Sequence, residues 1–182
     1  MRISTLLPLF ILSLASVGAS AADLAASIAS DLAAAEQHII PITTAYITQT
    51  GSSNIGLISQ EGAITGNFAN IDQFGSSNRA TASQSGDLNF VNIQQAGNDN
   101  IANALQNGLS NAISLTQRQD GNQFDGVQQG NSNTFNVIQN GNSSVNILAR
   151  GNGNTISADM PTGTNYKIDV IGDNIRASSV GQ

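Results

Sequence analysis

The chain has 182 residues with twelve acidic side chains against six basic ones, one histidine and no cysteine. Disulfide-stapled and thiolate-metal folds are therefore excluded, and so few cations make a phosphate-binding surface untenable, which removes nucleic acid as a partner. Aromatic residues at 4%, charged residues at 10%, 18 glycines and only 3 prolines set the chain apart from mixed globular domains and favour ordered β-stacking.

Residues 1–21 read as a secretory signal: Met1-Arg2, an apolar run from Leu6 to Leu14, then Ala19-Ser20-Ala21 as the cleavage site. Loss of Arg2 with that segment takes the formal charge from −6 to −7. Residues 22–42 form a leader. From Asp23 to Glu36 helix formers dominate and Leu24, Ile28 and Leu32 recur every four residues, a pattern for a short amphipathic helix ended before Pro41. Its role is open between an export tag, a cap on the first coil, and a leader without fixed structure.

A periodic array occupies residues 43–150. Glutamine recurs every eleven residues at Gln73, Gln84, Gln95, Gln106, Gln117, Gln128 and Gln139, with asparagine five residues later at Asn78, Asn89, Asn100, Asn111, Asn122 and Asn133. Gln49, Asn54, Gln60 and Asn67 join the series once a two-residue insertion before Asn67 is allowed, and Thr43, Ala45, Ile47 and Gln49 already show its inward pattern. Glycine comes two residues after most glutamines, as at Gly75, Gly86, Gly97, Gly108, Gly130 and Gly141, although Gln119 stands where one is expected. A short period repeated this often means stacked supersecondary units, each too small to bury a core alone. Between asparagine and glutamine the residues alternate, so Asn89, Val91, Ile93 and Gln95 share one face while Phe90, Asn92 and Gln94 share the other. Eleven residues thus give one strand and one polar turn.

Alternate strands carry bulky inward pairs, Ala69/Ile71, Val91/Ile93, Ile113/Leu115 and Phe135/Val137, and the strands between carry lighter ones, Gly56/Ile58, Ala80/Ala82, Ala102/Ala104 and Phe124/Gly126. The true period is twenty-two. These pairs imply an all-β solenoid, with strand-turn-strand coils and two parallel sheets facing across a thin core where large opposes small. Its expected core is Ile58, Ile71, Val91, Ile93, Ile113, Leu115, Phe124, Phe135 and Val137. Inward Asn and Gln are tolerable because identical amides stacked at the strand spacing bond one another in ladders, as in cross-β assemblies. Towards residue 150 the pattern decays: Ser144 takes the asparagine position and Arg150 the glutamine position, Asn154, Ile156, Ala158 and Met160 still keep to the inward row, and after Pro161 the period is lost. Residues 151–182 therefore read as a degenerate terminal repeat or cap.

The unit Gln-x-Gly-x-x-Asn-x-Ala/Ile-x-Ile/Val-x-Gln, repeated as strand-turn-strand over residues 43–150, resembles the curlin repeat of bacterial curli fibres. The resemblance implies an extracellular functional amyloid subunit, secreted unfolded through a dedicated outer-membrane pore and assembled in biofilm matrix. Its partners would be itself and other curlin subunits, with the cell surface or host matrix beyond them. Curli systems have a major subunit and a minor nucleator, and the glycine-poor leader and degenerate last repeat lean towards the minor type.

Other classes find less support. With one histidine, His38, no triad or multi-histidine metal site can be built, and nothing calls for a cofactor. Asp72, Asp87, Asp99, Asp120 and Asp125 fall on outward or turn positions without the recurring phase a calcium-binding roll needs. Their expected role is to charge the surface and slow premature pairing. Outer positions such as Phe90/Asn92 and Thr134/Asn136 lack both the carboxylate clusters of polysaccharide-cleaving helices and the threonine ladder of ice-binding ones. The serious alternative is a solenoid adhesin or secreted passenger that does not polymerise.

Overall fold

A computed structural model describes residues 11–17, 25–29 and 43–180. In chain order the strands are β1 (Ile11–Val17), β2 (Ala25–Ala29), β3 (Thr44–Ser52), β4 (Ile55–Glu61), β5 (Phe68–Ser76), β6 (Arg79–Asp87), β7 (Phe90–Ala96), β8 (Ile101–Leu109), β9 (Ala112–Arg118), β10 (Gln123–Gln129), β11 (Thr134–Asn140), β12 (Ser144–Arg150), β13 (Thr155–Met160), β14 (Asn165–Ile171) and β15 (Arg176–Val180). Odd strands make one parallel sheet in sequence order, and even strands make the other. Each strand thus stacks on the one two places earlier, and a coil is one odd and one even strand.

The alternation of apolar and polar residues becomes alternation of burial. In β7 the pattern runs exposed, buried, half-buried, buried, exposed, buried, exposed from Phe90 to Ala96. Ile58, Ile71, Val91, Ile93, Ile113, Leu115, Phe124, Phe135 and Val137 all lie in one continuous apolar core. Bulky pairs line the odd sheet and lighter pairs the even one, so each layer fills the space the other leaves. At Phe124/Gly126 the division of volume runs along a single strand: a Cβ built on Gly126 would lie 2.7 Å from Cε1 of the Phe124 ring, and closer still to its Cζ. The ring occupies the position that Ala104 fills one coil earlier.

Coil length is not constant. Stacked glutamines are 24 residues apart at the start (Gln49 to Gln73) and 22 apart through the middle (Gln73 to Gln95), and stacked asparagines are 21 apart at the end (Asn133 to Asn154). The extra residues sit in the turn 62–66, and the missing one in the turn 140–143. Register within the strands survives because turns absorb the difference.

Three expectations change. Ala25–Ala29, within the segment read as a helix, is a strand paired with Ile55–Ser59; an edge strand offers it main-chain partners that an isolated short helix lacks. The rest of that leader, most of the signal segment and His38 lie outside the described residues. Ser143, not Ser144, takes the asparagine position, because Ser144 pairs with Gln123 and Ser143 donates its N–H to Asn122 at 3.3 Å. Ala149, not Arg150, takes the glutamine position opposite Gln128, leaving Arg150 exposed. Both displacements result from the one-residue contraction. Stacking also continues past Pro161, since β14 pairs with β12 and β15 with β13.

Candidate assembly site: the amide rows and the coil edges

Two glutamine rows run along the axis, one per sheet. In the odd sheet Nε2 of Gln49, Gln73 and Gln95 each donates to Oε1 of the glutamine one coil on at 2.7 Å, and Gln117 donates to Gln139 at 2.9 Å. In the even sheet Gln60 donates to Gln84 at 2.7 Å, Gln84 to Gln106 at 2.9 Å and Gln106 to Gln128 at 2.8 Å. The second amide proton crosses the core to the carbonyl at the start of the facing strand, as in Gln95 to Arg79 O at 3.0 Å and Gln117 to Ile101 O at 2.8 Å. Each glutamine therefore ties three strands, and leaving such a buried group unpaired costs about 1–3 kcal/mol.

The asparagine rows carry the opposite polarity. Oδ1 of Asn78, Asn89, Asn100 and Asn111 accepts the main-chain N–H of the asparagine one coil on, at 3.0–3.1 Å, and that residue's Nδ2 as well. Nδ2 also reaches the turn carbonyl of a neighbouring coil, as in Asn111 to Gly130 O at 2.8 Å. Asn54 and Asn67 enter the same rows through Asn78 and Asn89. All seventeen Gln and Asn positions named from the repeat are buried. The turn glycine beside them has no room for a side chain: at Gly108, φ 129°, an added Cβ would lie 2.8 Å from the carbonyl carbon of Gly130 and closer to its oxygen. Gln119 occupies that row at φ 64°, with Gly121 at φ 71° relieving the same turn.

A third kind of row lies outside. The residue after the turn glycine accepts main-chain N–H groups from the preceding coil: Asn98 from Ser76 at 3.0 Å, Asp120 from Asn98 at 2.7 Å, Asn131 from Leu109 at 2.9 Å, Asn152 from Asn131 at 2.9 Å and Asp173 from Asn152 at 2.6 Å. Sequence reading assigned Asp120 only a charge role; recurrence of Ser, Asn or Asp at Ser76, Asn98, Asp120 and Asn142 was the overlooked signal. Asp87 gathers the long turn, accepting N–H groups of Ile64, Thr65 and Gly66 at 3.2, 2.9 and 3.0 Å and the Thr65 hydroxyl. Partial burial pushes its carboxyl up, but hydrogen bonds from Thr65, Gly66 and Leu88 outweigh that and hold it below the ordinary aspartate value. On the outer face the ring of Phe68 is stacked on Phe90 with centroids 5.1 Å apart, and Tyr46 meets Phe68 at 6.0 Å.

The two ends of the glutamine rows differ. Towards the C-terminus they stop at Gln128 and Gln139, and Ala149 and Met160 occupy the next places. Towards the N-terminus, the buried Oε1 atoms of Gln49 and Gln60 and the Thr43 hydroxyl have no hydrogen-bond partner among the described residues.

Among the described residues no three or more His, Cys, Asp or Glu side chains are grouped to hold a metal ion. No helix there is long and apolar enough to cross a membrane. Residues 65–97, which hold β5, β6 and β7, match the family described as Curlin associated repeat. Comparison with curated proteins gave no match, and comparison with solved structures gave none either.

Proposed function

Because the chain carries the curlin associated repeat, we propose that it is a subunit of an extracellular curli-type amyloid fibre, adding its coils end to end to those of other curlin chains. The role is structural rather than catalytic. The observation that carries it is the pair of axial glutamine rows: a row of stacked amides has no natural length, and its open N-terminal end, at the Oε1 atoms of Gln49 and Gln60, is completed by another coil. Main-chain edges at both ends of the solenoid reinforce the same demand. The repeat also supports export through the curli outer-membrane pore, deposition in biofilm matrix and adhesion, and the ending of the rows before the C-terminal edge supports a minor, nucleator-type place within the fibre.

The test is assembly. The chain from residue 22 onward, diluted from denaturant, is expected to convert from disorder to fibres with reflections at about 4.8 Å along the axis and about 10 Å across it, and those fibres should seed a second curlin chain. A monomeric β-rich product by light scattering would refute this reading and favour the non-polymerising adhesin.

A further inference from the structure

The rows have a direction. Every glutamine before the last of its row passes its Nε2 forward to the next coil, so a row begins with a bare carbonyl oxygen and ends with an amide that has no glutamine ahead of it. In this chain no glutamine follows at the forward end, and the odd-sheet row is closed internally. Gln139 spends both amide protons on main-chain carbonyls, Gln123 at 2.8 Å and Ser143 at 3.1 Å, whereas Gln128 makes only the cross-core bond, to Ala112 at 3.0 Å, that the other row members also make. Beyond them the even-sheet row continues as Ala149 and then Val170, which cannot donate. The rear end is open at Gln49 and Gln60, both about 2% exposed, whose Oε1 atoms lack a donor among the described residues.

The strands on that rear edge pair with its main chain. β1 pairs with β3 and sets Ser16 opposite Gln49. β2 pairs with β4 only as far as Ala29 opposite Ser59, one residue short of Gln60. They satisfy main-chain groups of the edge, and its two glutamine oxygens have no donor among the described residues.

Resting on the fibre reading above, we infer that the N-terminal edge, β3 with β4, is the acceptor half of a heterotypic joint. Its occupant is a second curlin-repeat chain whose final coil keeps glutamine at the ladder positions. Such a coil brings Nε2 donors to Gln49 and Gln60 in the register that joins Gln60 to Gln84 within this chain, displacing β2, β1 having left with the signal segment. Another copy of this chain is the poorer occupant, because its own C-terminal edge sets Val170 where the donor to Gln60 is needed. The chain therefore receives a different subunit at one end and ends the amide rows before the other.

The donor-ended partner can be imitated with this chain. Ala149→Gln/Val170→Gln extends the even-sheet row to the C-terminal edge, and Ala149→Leu/Val170→Met is its control of similar volume without an amide. Soluble forms of each and of wild type are added to sonicated fibres of the wild-type chain, and initial elongation is monitored by thioflavin fluorescence. The glutamine variant is expected to elongate roughly tenfold faster than wild type or control, in line with satisfying a buried acceptor, and to lose that advantage on Gln60→Met fibres. Equal rates for the glutamine variant and its control, or an advantage that persists on Gln60→Met fibres, overturn the inference. A second measurement does not depend on the variant folding. Wild-type fibres should elongate faster with a second curlin chain that keeps glutamine at the ladder positions of its final coil than with the wild-type chain itself, and equal or slower elongation would overturn the inference. Fibres that form without discrimination overturn the joint and leave the fibre function standing; absence of cross-β product from every chain overturns both.

Discussion

Gly126→Ala tests how the core divides its volume. Phe124 is fully buried, and its ring covers the one position in β10 where a side chain would otherwise point inward between Phe124 and Gln128. An added Cβ would meet Cε1 at 2.7 Å and Cε2 at 3.2 Å, well inside ordinary contact, so the ring must turn or the strand must move. Overpacking of this kind costs about 1–3 kcal/mol. Phe124→Ala alone leaves a cavity and should cost about 3–5 kcal/mol. Phe124→Leu removes the atoms that collide, so Gly126→Ala should be much better tolerated in that background, with a coupling of about 0.5–3 kcal/mol between the two sites. The assay is the guanidinium concentration at which fibres of the wild type, the two single variants Phe124→Leu and Gly126→Ala, and the double variant dissolve. Additive effects would refute the claim that ring and glycine share one volume.

Gly108→Ala should be far more damaging than Gly163→Ala, though both have positive φ, because the first drives a methyl into the Gly130 carbonyl and the second meets nothing within 4 Å; fibre yield and denaturant midpoint compare them. Gln95→Ala strands the Nε2 of Gln73 and the Oε1 of Gln117 and should cost about 1–3 kcal/mol or more, whereas exposed Gln94→Ala should be near neutral, and equal effects would contradict the row assignment. Asp87 is held below its ordinary value of 3.8, so its contribution is present above that pH and lost as pH falls through the lower folded value; amide exchange at Ile64, Thr65 and Gly66 should rise there, and at neutral pH in Asp87→Asn. Assembly as a whole should quicken as pH falls towards the pI of about 4.3 and as salt screens the net negative charge, and lag times indifferent to both would show that repulsion is not limiting.

The sequence alone determined the coil, its two faces and the identity of its inward amides. Each of those properties is a spacing, and a stacked fold converts spacing directly into neighbours: Gln73 and Gln95 touch because they are 22 residues apart. The heavy and light pairs were legible for the same reason, since alternation within a strand fixes the face. Tertiary structure decided what no spacing encodes. The direction of the glutamine rows, opposite to that of the asparagine rows, depends on which way each amide is turned, and the residue type is the same either way. Ser143 and Ala149 hold the row positions because one residue is missing from the turn at 140–143, and only the pairing of Gln123 with Ser144 shows where the loss was absorbed. β14 and β15 lack the period after Pro161 yet remain strands, because the finished coil beneath them presents a row of unpaired N–H and C=O groups, and an available edge outweighs a weak local preference.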